Sequence, residues 1–232
     1  MKKHIPNGLT CCNLICGCVA TFFAFQADYA AAALFIVVVA VFDFFDGFAA
    51  RLLGVSSPIG KELDSLADDI TFGFAPAAIV FSLLRAQAGD FPPSAFTTLL
   101  PFFAFLIAAF SALRLAKFNL DERQTMGFIG LPTPANALFW ASLALLIGEG
   151  GEQPAFLPWL LLALVLLSCW LLVSEVPMFA LKFKHYGLQG NEVRYGFLLF
   201  SAATLVVAGP TAFVGIIPAY IIVSLVVHLT KK

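Results

Sequence analysis

A chain of 232 residues with 61% hydrophobic side chains, 26 phenylalanines and only 12% charged residues cannot fold as an ordinary soluble domain. Several segments exceed the roughly 20 apolar residues needed to cross a bilayer's hydrocarbon, so one polytopic membrane domain is expected. The formal charge of −1 leaves no basic excess, which argues against a nucleic-acid partner.

In chain order, residues 1–9 form a short polar lead in which Pro6 and Asn7 favour a bend. Thr10 is read as the N-cap of a first span over about 10–27. Lys2 and Lys3 followed by IPNGLT do not read as a cleaved signal. Cys11, Cys12, Cys16, Cys18 and Cys169 lie in apolar runs and are expected to be small buried hydrophobes. The second span, about 30–53, opens apolar on all faces and ends acidic. The third, about 62–85, carries Asp64, Asp68 and Asp69 in its first turns, where the helix dipole favours negative charge. A loop through Asp90, Pro92 and Pro93 leads to a fourth span over about 96–117. Spans five to eight fall near 131–149, 155–181, 192–209 and 211–229, and no strand-like alternation is visible.

This count is checkable by charge. With the N-terminus inside, the outer segments hold Arg85 alone of the 13 basic residues, as the positive-inside rule requires. The expected fold is therefore an all-α membrane bundle of about eight transmembrane helices with both termini cytoplasmic. Lys182, Lys184, His185 and Arg194 then form a cytoplasmic basic loop, suited to anionic lipid heads or to a plain topogenic flank.

The organising stretch is DFFDGFAARLLGVSSPIGKELDSLAD, residues 43–68. Asp43 and Asp46 are i,i+3 on one expected helix, and Asp64 and Asp68 are i,i+4 on the next, so each pair shares a face. Carboxylates at a membrane boundary are costly and repel one another unless a cation sits among them. Turned toward each other, the two faces make an oxygen-only site suited to Mg²⁺, Mn²⁺ or Ca²⁺. Gly47 and Ala50 beside the carboxylates, and Gly60 in the expected connecting loop, would let a ligand approach the backbone. Arg51 is a fixed positive charge suited to a phosphate. A polar hairpin closed by carboxylate–arginine pairing is the plainer reading, but one arginine cannot offset four carboxylates. Asp69 lies about 100° round the helix from Asp68, outside this pattern, and is expected to face a cytoplasmic cavity.

Two later segments add to it. In ALRLAKFN, Arg114 and Lys117 are i,i+3 and could face the acidic site or serve as inside-positive flanks. In FIGLPTPANA, Gly130, Pro132 and Pro134 fix a bend as span five begins, which helix capping alone would also explain.

Written out, D-x2-D-G-x2-A-R-x8-G-x3-D-x3-D resembles, without a departure, the signature of the CDP-alcohol phosphotransferase family. IPNGLTCCN, RLAKFN and GLPTPA further resemble its bacterial and archaeal phosphatidylserine synthase branch, over residues 5 to about 140. The resemblance implies a single membrane domain over 1–232, with a catalytic core over about 1–149 and additional helices over about 150–232. It implies transfer of a phosphatidyl group from CDP-diacylglycerol to L-serine in the cytoplasmic membrane, with Mg²⁺ or Mn²⁺, by a homodimer. Asp43, Asp46, Asp64 and Asp68 would hold the metal, and Asp68 would take the serine hydroxyl proton. Gly47, Ala50, Arg51 and Gly60 would meet CDP-diacylglycerol, and Arg114, Lys117 and Asn119 are candidates for serine, with Asn13 a further hydrogen-bonding candidate. The rivals are a sister transferase using glycerol 3-phosphate or an inositol phosphate, and an ion transporter, since buried carboxylates also mark ion pathways. A transporter would be expected to show broken helices and repeated halves, and the sequence shows neither.

Overall fold

The computed structural model describes residues 4–230 except 54–57, 89–91, 93, 122, 124–126, 149–150, 152 and 182–186. Of helical residues 4, 5, 44 and 46–53 it describes the backbone only. The chain is mainly helical: α1 (His4–Phe25), α2 (Tyr29–Leu53), α3 (Pro58–Asp68), α4 (Ala75–Ala88), α5 (Ala95–Leu99), α6 (Leu106–Leu120), α7 (Thr133–Gly148), α8 (Leu157–Val173), α9 (Glu192–Ala208) and α10 (Phe213–Thr230). A π-helical segment, Asp69–Phe74, joins α3 to α4, and 3₁₀ turns join α5 to α6 and α9 to α10.

Each expected span overlaps one helix or one continuous helical run. Pro6–Phe25, Pro58–Ala88, Ala95–Leu120 and Glu192–Thr230 are long and apolar enough to cross a membrane, while Tyr29–Asp43, Thr133–Gly148 and Leu157–Val173 are shorter apolar helices. The last run has 39 residues, roughly 58 Å if straight, about twice the hydrocarbon thickness. Gly209 breaks it at φ 58°, a conformation that favours glycine, and α10 packs on α7.

Packing depends on small side chains, as expected where lipid removes the hydrophobic drive between helices. Ala20 and Ala24 of α1, Ala32 and Ala33 of α2, and Ala75, Ala77 and Ala78 of α4 are buried in the main core, which α6, α7 and α8 complete. A side chain at Gly17 would collide with Thr71, so α1 lies directly on the π segment. Ser82 Oγ donates to the Ala24 carbonyl at 2.6 Å. Because 17 meets 71 and 24 meets 82, α1 and the α3–α4 run point the same way. A second cluster, built on Leu131, Leu171, Met178, Ile216 and Tyr220, seats α9 and α10 against α7 and the end of α8. Large apolar side chains such as Leu34, Trp159, Trp170, Val206 and Val207 cover the outside, as a lipid-facing surface requires.

Several expectations change. Thr10 lies inside α1, its hydroxyl donating to the Pro6 carbonyl at 3.0 Å, because the helix starts earlier than its first apolar run. Gly60 is in the first turn of α3, since Pro58 already starts that helix. Of the five cysteines only Cys169 is buried; Cys11, Cys12 and Cys18 are on the exposed side of α1, and Cys16 is intermediate. The sixth span ends at Val173, where Ser174 turns extended, and Pro177–Phe179 is a strand (β2) paired antiparallel with Gly127–Ile129 (β1). Lys182, Lys184 and His185 lie outside the described residues; Arg194 donates to the Ala180 carbonyl at 3.0 Å and to Asn191 Oδ1 at 2.9 Å.

The GLPTPA bend is held by this two-stranded clip. Gly130 sits at φ 75°, its N–H donates to Val176 O at 2.8 Å, and Leu131 N–H donates to Leu171 O at 2.9 Å. A β-carbon at position 130 would lie 2.7 Å from the Leu172 carbonyl oxygen. Gly130→Ala is expected to destabilise by roughly 1–3 kcal/mol or more, read as a lower Tm in detergent. Gly190→Ala, at φ 82° in open space, should lose less.

Candidate metal centre

The acidic pattern folds as helical periodicity requires. Asp43 lies in the second half of α2, and α3 carries Asp64 and Asp68 on one face one turn apart. Carboxylate oxygens of Asp43, Asp64 and Asp68 all lie within 4.8 Å of one another, each side chain half-buried. An ion bound at about 2.1–2.6 Å from each oxygen holds its ligands at most about 4–5 Å apart, so this set fits one hard cation with little adjustment. The donors are oxygen only, which suits Mg²⁺, Mn²⁺ or Ca²⁺ and suits thiophilic metals poorly. Asp46, Gly47, Ala50 and Arg51 belong to α2, but their side-chain positions are outside those described.

Asp69 takes no part in this group. It opens the π segment and is directed to the other side, where its Oδ1 lies 2.7 Å from the position a β-carbon on Gly73 would occupy.

α6 crosses this assembly and supplies the cations. Arg114 is buried, at 7% exposure, with its guanidinium carbon 4.9 Å from the centre of the Phe118 ring. Asp68 and Tyr220 lie within electrostatic reach of it. Lys117 is exposed, its Nζ 3.5 Å from the Val173 carbonyl at the end of α8. Asn119 Nδ2 donates to Ser65 Oγ at 2.7 Å, and Lys61 Nζ donates to the Asn119 carbonyl at 3.1 Å. Asn119 therefore ties the end of α6 to the helix that carries two of the carboxylates. A cavity of about 390 Å³ lies beside this tie, lined by Arg114, Lys117, Asp121, Arg123, Ile129 and Glu175 among others. Arg123 is held at its rim by Asp121 at 2.8 Å and Glu175 at 3.4 Å.

Sequence reasoning missed Tyr220, Glu175 and Ser111. Tyr220 and Glu175 come from the last 90 residues, and β1–β2 pairing brings that part of the chain to the site; Tyr220 donates to the Phe179 carbonyl at 2.8 Å. Ser111 had a readable sign, its i,i+3 spacing from Arg114.

A family model described as CDP-alcohol phosphatidyltransferase matches residues 3–179. A Bacillus subtilis protein named CDP-diacylglycerol--serine O-phosphatidyltransferase is 35% identical over 197 residues, covering 82% of this chain and 95% of that protein. Proteins of the same name from Mycobacterium leprae and Helicobacter pylori are 32% and 31% identical, over 75% and 70% of this chain and 57% and 68% of their own lengths.

Loss of one carboxylate should weaken the centre. Asp64→Asn is expected to reduce Mn²⁺ affinity by roughly tenfold or more, measured by calorimetry or electron paramagnetic resonance in detergent. Glu62→Gln, on the exposed side of α3, should leave that affinity unchanged.

Proposed function

The chain belongs to the CDP-alcohol phosphatidyltransferase family, and on that premise we propose that it transfers the phosphatidyl group of CDP-diacylglycerol to the hydroxyl of L-serine, giving phosphatidylserine and CMP. The observation that carries this reading is the convergence of Asp43, Asp64 and Asp68, three positions of the family pattern, within 4.8 Å. The names of the relatives support serine as acceptor.

Asp43, Asp64 and Asp68, with Asp46 from the same turn of α2, hold a divalent cation, Mg²⁺ or Mn²⁺. When bound, it neutralises pyrophosphate oxygens and stabilises the charge that develops on the CMP leaving group. Gly47 and Ala50 leave room for the nucleotide, Gly60 does the same from α3, and Arg51 pairs with a phosphate. Asp68 accepts the serine hydroxyl proton as that oxygen bonds to the lipid-side phosphorus and the bond to CMP breaks. Such a base need only receive the proton as attack proceeds; alignment supplies much of the rate. Serine's carboxylate pairs with Arg114, the buried cation nearest the acidic site, with Lys117 at the cavity mouth.

The eight expected spans, with α9 and α10 crossing separately, traverse the cytoplasmic membrane with both termini inside, so the carboxylates open to the compartment that holds nucleotides. The membrane domain covers the whole chain and works as a homodimer, with residues up to about 149 forming the catalytic core.

The test is CMP release from CDP-diacylglycerol by purified protein in detergent. Release should depend on L-serine and Mn²⁺ or Mg²⁺ and stop with EDTA; release only with glycerol 3-phosphate would reassign the acceptor. Asp68→Asn is expected to lower kcat by roughly 10²–10⁴-fold with CMP binding retained, and near-normal turnover would remove Asp68 from the base role. Arg114→Ala should raise KM for L-serine much more than KM for CDP-diacylglycerol, with Arg114→Lys intermediate.

A further inference from the structure

The π segment Asp69–Phe74 is packed against α1, α6 and α7, and each of these helices carries a fully buried polar side chain without a hydrogen-bond partner among the described residues. From α1 comes Asn13, both amide atoms unpaired at 0% exposure. Asn13 precedes Gly17 by one turn, and Gly17 meets Thr71, so Asn13 stands level with Ala67 and Asp68. From α6 comes Ser111, whose Oγ lies 3.4 Å from the point a β-carbon on Gly73 would occupy, with Asp69 Oδ1 at 2.7 Å from that same point. From the first turn of α7 comes Asn136, again with both amide atoms unpaired at 0% exposure. Asp69 Oδ1 is itself buried and unpaired.

Such groups are rare in folded proteins, because an unmade buried hydrogen bond costs stability. Ser111 also had a local alternative. Thr10, Thr21, Ser65, Thr71 and Ser224 all donate to the carbonyl four residues back, as helical hydroxyls commonly do. Ser111 does not.

The four side chains offer acceptors, one of them a carboxylate. One turn along α6 from Ser111, the buried guanidinium of Arg114 makes no ion pair or hydrogen bond among the described residues. An anion with neutral acceptors on one side and a buried cation on the other is complementary to a zwitterion. An ammonium presents three N–H donors, and a carboxylate suits the guanidinium fork. We propose that Asp69, Ser111, Asn13 and Asn136 form the subsite for the α-ammonium group of the amino-acid acceptor. The absent side chain of Gly73 lets Asp69 and Ser111 close onto the same point of the π segment. The inference rests on serine being the acceptor and adds how an amine is told from its absence: Asp69 selects the substrate while its neighbour Asp68 acts on it.

The experiment compares L-serine with its deamino analogue 3-hydroxypropanoate, using the full chain in detergent with CDP-diacylglycerol and Mn²⁺. Asp69→Asn and Ser111→Ala should each raise KM for L-serine by roughly tenfold or more, because a site built around a polar group discriminates strongly by it. Turnover of 3-hydroxypropanoate, KM for CDP-diacylglycerol and Mn²⁺ affinity should stay at wild-type values. Asp69→Glu, keeping the charge, should recover part of the serine affinity, and Gly73→Ala should lose it by pushing Asp69 and Ser111 out of place. Equilibrium binding of L-serine to the CMP-loaded protein should fall in parallel. An unchanged KM for L-serine in Asp69→Asn and Ser111→Ala overturns the subsite. Equal losses with both acceptors, or a shift in Mn²⁺ affinity, overturn it in favour of a structural or metal-supporting role. Absence of serine-dependent CMP release in the wild type overturns the acceptor reading itself, and the subsite with it.

Discussion

Mutual repulsion among clustered carboxylates is the constraint on which this structure depends. Asp43, Asp64 and Asp68 are brought close enough to share one ion, an arrangement that is unfavourable for the apoprotein and favourable only with a cation among them. The energy that holds them together comes from elsewhere. α1 and α4 meet through alanines, Gly17 and the Ser82–Ala24 hydrogen bond, and α2 lies on α1 through more alanines. Close backbone approach thus supplies the rigidity that charged side chains could not provide for themselves. Lys61, Ser65 and Asn119 complete the frame by fixing α6 to the carboxylate-bearing helix.

The acidic site was legible because its information is local. Helix periodicity alone puts Asp64 and Asp68 on one face, and a hairpin between adjacent helices brings Asp43 to them. The GLPTPA bend was legible for a similar reason, since the positive φ of Gly130 and the proline after it are local chemistry. Span ends were less so: Pro58 begins α3 before its apolar pattern starts, and Ser174 with Pro177 ends α8 inside a segment that still reads as apolar.

What the sequence concealed depends on helices meeting. β1 and β2 are three residues each and about fifty positions apart, too short for any alternation to register. Ser111 and Asn136 are single polar residues in apolar runs, and only the packing of three helices around one segment joins them to Asn13, already a hydrogen-bonding candidate by sequence. Tyr220 joins the surroundings of Arg114 by the same route, from a helix with no motif of its own. The C-terminal helices therefore belong to the architecture of the site, through the β clip and the cluster around Met178 and Tyr220.

The π segment has a further consequence. An α-helix locks the angular positions of its two ends together, so any face chosen at one end dictates the face at the other. Widening the turn at Asp69–Phe74 inserts a phase offset between them. The carboxylate end of this 31-residue run can then be oriented for chemistry while the alanine-rich end is oriented for packing. Two neighbouring aspartates consequently look into different surroundings, and evolution can alter one without re-aiming the other.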